Sequence, residues 1–179
     1  SGSEPASEVA TPEPCGTLIL DATCAPADIT YPTDLKLLAA ARVATERLLD
    51  TVWSILKKPG ENKPRTYRHI AARCATIACK QRNLRGKKLR SALKKQLSFL
   101  TRNLNSIDTL LYTTSLGENL LNSRERKMLE TARAVHRQQK HMLDTRTHRA
   151  DRRIVNFAQP HLRPIVRGKA GAKVEFGAK

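Results

Sequence analysis

Aromatic residues are scarce. The 179-residue chain has one Trp, three Tyr and three Phe, 4% in all. A platform of aromatic rings for stacking single-stranded bases is therefore not expected. Long apolar runs are also missing. No stretch approaches the roughly 18 uncharged apolar residues of a membrane-spanning helix, which excludes a transmembrane protein. No charged n-region with an apolar core opens the sequence, so no secretory signal is read. The four cysteines are irregularly spaced and make no disulfide framework, which points to a reducing cytoplasm. Cys74 and Cys79 are five apart and share no helix face, and the five histidines form no i, i+4 pair. Zinc is not expected from such spacings. Gly168-Lys169-Ala170-Gly171 lacks the spacing and the following helix of a phosphate-binding loop.

What the sequence has is positive charge, unevenly placed. Lys and Arg number 33 against 16 Asp and Glu, a net charge of +17. This balance favours polyanion partners and says nothing about fold. Residues 1–34 hold six acids and no Lys or Arg, so the rest of the chain carries +23. Residues 57–102 hold fifteen basic residues and one acid, Glu61; residues 103–123 hold no Lys or Arg; residues 124–173 hold fourteen, with four acids. Two basic blocks separated by a gap differ from a uniform solubility coat, although solvated helix faces are the simpler reading of either block alone.

Four segments follow from the patterning. Residues 1–15, small, acidic and proline-containing, read as a disordered leader or linker. Residues 16–32 hold Gly16-Thr17-Leu18-Ile19-Leu20-Asp21, the pattern of a short strand buried on both faces, and then a proline-broken loop. Residues 33–146 read as about four helices. Thr33 and Asp34 can cap the first, with Leu37, Ala41, Ala44, Leu48, Val52 and Ile55 inward to about residue 58. The second starts near Pro64 and carries Tyr67, Ile70, Cys74 and Ile77 on one face. The third follows Gly86 with Leu89, Leu93, Leu97, Leu100, Leu104, Ile107 and Leu111 in register. Residues 116–119 read as a turn. Ser123 can cap the fourth, with Leu129, Ala132, Val135, Gln139 and Met142 inward. Each stripe is wide enough for bundle packing. Residues 147–179 change character: 153–157 read as a strand, and 165–167 with 173–176 as a β-hairpin. The fold class is thus α+β and mostly helical, a partial sheet around a long helical insertion.

Few residues suggest chemistry. Asp21 ends the buried strand, where carboxylates open into crevices, though a capping or turn role fits as well. Phosphodiester chemistry needs two or more carboxylates around divalent metals, and nothing after Asp21 supplies an evident second ligand. Asp34 reads as a helix cap. Asp151, flanked by Arg149, Arg152 and Arg153, reads as ion-paired. Lys57, Lys58, Lys63, Arg65, Arg68 and Arg73 straddle a helix junction, and Lys87, Lys88, Arg90, Lys94 and Lys95 open the third helix. Such density gives salt-dependent contact with duplex phosphates and little base reading. Arg163, Arg167 and Lys169 complete the candidate DNA-binding set.

Two long strings resemble a family. They are Gly16-Thr17-Leu18-Ile19-Leu20-Asp21-Ala22-Thr23-Cys24-Ala25-Pro26-Ala27-Asp28-Ile29 with Tyr31-Pro32-Thr33-Asp34-Leu35, and Arg163-Pro164-Ile165-Val166-Arg167-Gly168-Lys169-Ala170-Gly171 with Val174-Glu175-Phe176-Gly177-Ala178-Lys179. Thr147-His148-Arg149 and Gln159-Pro160-His161 match as well. The chain over residues 16–179 resembles the catalytic domain of bacterial insertion-sequence DDE transposases. The resemblance implies a ribonuclease H-like fold in which three acids bind two divalent metals, Mg²⁺ or Mn²⁺, with Asp21 the first acid and a metal ligand. It implies double-stranded DNA, as transposon end and target, as the partner, with self-association in a transpososome, and a bacterial, nucleoid-associated place in the cytoplasm. The family's second and third acids lie on later elements, and its usual preceding DNA-binding domain has no counterpart here. The chain therefore reads as the front of a catalytic domain, a fragment inactive alone and holding no metal tightly. A stand-alone basic helical protein that binds nucleic acid without catalysis, and a helical interaction protein whose charge only prevents aggregation, are the other readings.

Overall fold

The first helix opens at Thr33, whose hydroxyl oxygen accepts the Lys36 backbone N–H at 3.2 Å. That contact satisfies one of the donors a helix start leaves unpaired. A computed structural model describes residues 32–56, 60–166 and 174–178 of the chain. The leader, the strand expected at 16–21 and the loop to residue 31 lie outside the described residues. Four α-helices then run in order: α1 (Asp34–Leu56), α2 (Arg68–Lys80), α3 (Gly86–Tyr112) and α4 (Ser123–Asp144). A 3₁₀ turn (Gly117–Leu120) precedes α4, and two strands follow it, β1 (Leu162–Val166) and β2 (Val174–Ala178). The described protein is thus mostly helical with one two-stranded antiparallel sheet, as the α+β reading expected. None of its described helices is long and apolar enough to cross a membrane.

The central helix is α1, packed against α2, α3 and α4. Its buried residues cover more than one stripe: Leu37, Ala41, Ala44, Leu48 and Val52 as expected, and Leu35, Leu38 and Leu49 beside them. Ile55, expected inward, is 49% exposed. In α3, Leu93, Leu100, Leu104, Ile107 and Leu111 are buried, while Leu89 and Leu97 are only partly covered. In α4 the buried set is Leu129, Ala132, Val135, Gln139 and Met142, the five residues the periodicity selects. Each fully buried leucine, such as Leu38, Leu49, Leu100 or Leu129, contributes about 1.5–3 kcal/mol through apolar burial.

Three expectations are corrected. In α2 the buried residues are Ala71, Ala75 and Ala78, whereas Tyr67, Ile70 and Ile77 are exposed. Small side chains let α2 lie close on α3, near enough for the Gln96 side-chain amide to donate to the Ala71 carbonyl at 3.0 Å. The cap of α4 is Asn122, one residue before Ser123. The Asn122 carboxamide oxygen accepts the Glu125 N–H at 2.9 Å, and the Glu125 carboxylate accepts the Asn122 N–H at 2.9 Å. The acid three positions on selects Asn122. Residues 153–157 form no strand. The backbone of Ile154 bonds instead to one side chain of α4, its N–H donating to Gln138 Oε1 at 2.7 Å and its carbonyl accepting from Gln138 Nε2 at 3.0 Å. Val155 is buried, and Ile154 and Phe157 pack on the helical core, so helices take the place of a partner strand.

The expected hairpin is present. β1 and β2 are antiparallel with Leu162 opposite Ala178, Pro164 opposite Phe176 and Val166 opposite Val174. A proline inside a strand removes one ladder donor, which a strand tolerates where no neighbour needs it. The turn expected at 168–171 lies outside the described residues.

Charged and amide groups interrupt the bundle core. Arg42 is 3% exposed and Glu46 6%, and the two are paired across one turn of α1. Arg42 Nε also donates to Gln96 Oε1 on α3 at 3.2 Å. With Gln96 bonded on to Ala71, one chain of polar contacts joins α1, α3 and α2. Asn103 Nδ2 donates to Thr45 Oγ1 at 3.2 Å, while Asn103 Oδ1 is buried without a partner.

Candidate nucleic-acid interface

The basic residues separate into committed and free groups. At the junction of α1 and α2, Asp50 takes two of the expected phosphate contacts for itself. Lys63 Nζ lies 2.5 Å from Asp50 Oδ1, and Arg68 Nη2 lies 2.7 and 2.9 Å from its two oxygens. Partial burial pushes the Asp50 carboxyl up, but the hydrogen bonds from Lys63 and Arg68 outweigh it and hold the group below its ordinary value. A depressed folded pKa contributes stability in full above the unfolded pKa and loses it as pH falls through the folded value. Asp50→Asn is expected to lower the urea midpoint near neutral pH, with the two proteins converging on acidification. A gap that stays constant down to acid pH would contradict the pairing.

Arg163 is also occupied. Its Nη1 donates to the carbonyls of Pro160 at 2.5 Å and Leu162 at 2.8 Å, which tethers the start of β1. Arg65 and Arg73 are exposed, and Arg90 is half-buried in a cleft it shares with Asp34 and Met142. Lys57, Lys58, Arg167 and Lys169 lie outside the described residues, as does Asp21.

The free group lies where α2 turns into α3. Lys87, Lys88, Lys94 and Lys95 are exposed, and so are Lys80, Arg82 and Arg85. The last three, absent from the sequence-derived contact set, belong to the same run of charge. No acid occurs between positions 80 and 95. The first turn of α3 contains no acidic residue. Helix starts carry positive partial charge, so Lys87 and Lys88 at the N-terminus of α3 cost stability there. A surface arranged for folding alone would place carboxylates at that end. The arrangement raises the positive potential at one exposed corner, which suits a run of phosphates.

The remaining assignments concern acids. Asp34 is not the cap of α1; Thr33 is. The Asp34 carboxylate accepts Gln139 Nε2 at 2.7 Å and Arg153 Nη2 at 2.8 Å. Arg153 thus pairs with Asp34 across 119 positions rather than with its neighbour Asp151. Among the described residues no group of three or more His, Cys, Asp or Glu is placed to hold a metal ion. No family model, curated protein or solved structure matches the chain.

Proposed function

We propose that residues 16–179 are the front part of a ribonuclease H-like catalytic domain of a DDE transposase, and that α1–α4 form a DNA-contacting helical insertion between its strands. The observation that carries this reading is the clasp at Asp34. An insertion between neighbouring strands must leave close to where it entered. Asp34 at the start of α1 is bound to Gln139 near the end of α4 and to Arg153 beyond it, and the chain then runs into the hairpin. The free cations at the α2–α3 corner support duplex phosphates as the ligand. Mg²⁺ or Mn²⁺ would serve the metal site, with Asp21 as its first acid. One carboxylate does not make a two-metal centre. Purified protein is expected not to nick DNA with Mg²⁺; nicking that Asp21→Asn abolishes would overturn this.

The reading is tested by amide hydrogen exchange on the whole chain. Protection of Leu18, Ile19 and Leu20 at the level of β1 is expected, since a central strand pairs on both edges. Free exchange of these amides beside a protected hairpin would overturn it. A second reading, a basic helical nucleic-acid-binding protein without catalysis, draws on the self-contained core of α1–α4. It predicts protection in the helices and the hairpin but not at residues 18–20.

A further inference from the structure

A second cationic surface runs along α3 where that helix borders α4, and shares Lys94 with the α2–α3 corner. There α3 and α4 border a groove of about 660 Å³. Its α3 wall includes Ser98, Thr101, Asn105 and Thr109, a row of hydroxyls with one amide. Lys94 and Arg102 from α3 and Lys140 from α4 flank the row. Arg137 lines an adjoining hollow that shares Thr101, Asn105 and His136 with the groove. Lys94, Arg137 and Lys140 have no ion-pair partner among the described residues. Arg102 lies over the Tyr67 ring, 4.5 Å from its centre. Of the acids nearby, Asp108 is taken by Arg133 at 2.6 Å, which leaves Asp144 against the cations.

His136 sits in the middle. Its Nε2 is 2.8 Å from Thr101 Oγ1, and that hydroxyl is 2.9 Å from the Leu97 carbonyl. A hydroxyl has one proton, and the carbonyl can only accept it. Nε2 therefore carries the proton in the neutral ring and donates to Thr101, which leaves Nδ1 to take a second proton. Burial holds the His136 pKa below its ordinary value, and the charges of Lys140 and Arg137 push it further down. The potential that repels a proton from this point attracts an anion to it.

We propose that the groove between α3 and α4 binds a phosphate group, with Lys94, Lys140 and Arg137 supplying charge, Ser98 and Asn105 supplying hydrogen-bond donors, and the His136 ring adding a donor at Nδ1 once it is protonated. Charge-assisted donors around a row of neutral ones match the several acceptors of a phosphoryl oxyanion. The inference does not rest on the transposase reading, because a free phosphate compound and a phosphodiester present the same oxygens. Proton and anion binding are linked here. An anion beside His136 favours its charged form and raises its pKa, so by reciprocity binding tightens as pH falls through the bound-state pKa and levels off below the free-state pKa. The charges around the ring are Lys94, Arg102 and Asp108 on α3, and Arg133, Arg137, Lys140 and Asp144 on α4, with Asp108 and Arg133 paired to each other.

Inorganic sulfate is the probe, since it stays a dianion where histidine titrates. The histidine ring signals of the whole chain are followed by NMR as sulfate is added. His136 is expected to shift and saturate, with binding about tenfold tighter at about pH 5.5 than at about pH 7.5. Lys140→Gln should weaken it about tenfold, and Lys127→Gln, on α4 but outside the groove, should leave it unchanged. Unsaturable, equal drift of all five histidines would overturn the proposal, as would an unaltered response in Lys140→Gln. A duplex oligonucleotide forms the second arm. If it moves His136 as sulfate does, the backbone enters the groove. If DNA binds and His136 stays still while sulfate moves it, the groove takes a free phosphate compound. Sulfate binding with no DNA binding would leave the groove standing and remove DNA from the proposed function.

Discussion

Duplex DNA binding by this chain is expected to weaken about a thousandfold or more between about 50 and 200 mM salt. The expectation follows from the α2–α3 corner, where Lys80, Arg82, Arg85, Lys87, Lys88, Lys94 and Lys95 are exposed with no acid among them. Each phosphate contact releases condensed counterions and adds about −0.9 to the log–log slope. If most of these seven side chains contact phosphate, the slope lies near about −6. Lys88→Gln and Lys95→Gln should each remove about one from it, with little change in sequence preference. Lys63→Gln and Arg163→Gln should change it little, because those side chains are held by Asp50 and by backbone carbonyls. A fluorescence-anisotropy titration across salt concentrations measures all four. A flat salt response, or equal losses from Lys63 and Lys88, would remove the corner as the phosphate contact.

Arg42→Ala is expected to destabilise the fold by about 3–5 kcal/mol. The substitution leaves the Glu46 carboxylate buried without its partner and Gln96 Oε1 without its donor. A buried unpaired charge costs far more than the lost pair contributed, because desolvation is no longer offset. Against the usual total of about 5–15 kcal/mol, such a loss depletes a large share of stability. The double change Arg42→Met with Glu46→Leu should recover most of it or exceed the parent, since apolar groups of similar volume need no compensation. Urea unfolding followed by helical circular dichroism reads both. A loss below about 1 kcal/mol for Arg42→Ala, the level of a surface pair, would place Arg42 and Glu46 outside the core.

These results separate what local pattern conveys from what it does not. The inward face of α4 was legible because Leu129, Val135 and Met142 repeat at helical spacing and nothing apolar competes on its other side. The face of α2 was misread for the opposite reason. Ile70 and Ile77 outrank alanine in hydrophobicity, yet Ala71, Ala75 and Ala78 permit close approach of backbones, a property of the pair of helices. Arg42 and Glu46 have the spacing of an ordinary surface ion pair. Their burial depends on Gln96, 54 positions away. The basic blocks could be counted from the sequence, but not the fate of each cation: Asp50 lies 13 residues before Lys63 and 18 before Arg68. His136 and Lys140 join a site only because α4 lies along α3. The strand misread at 153–157 had the right residues and lacked a neighbour, a role Gln138 fills with a single amide.

The clasp at Asp34 also bears on how such a chain tolerates change. Arg153, Gln139 and Asp34 hold positions 34 and 153 within one set of hydrogen bonds. A short loop across those positions would close the gap that removal of α1–α4 leaves. The helices themselves, with ends already adjacent, could be joined head to tail and reopened at an exposed turn. Shuffling of whole segments is accepted most readily where termini meet at the surface. The bundle is in that sense a cassette: its length and sequence can diverge widely while positions 34 and 153 keep their spacing.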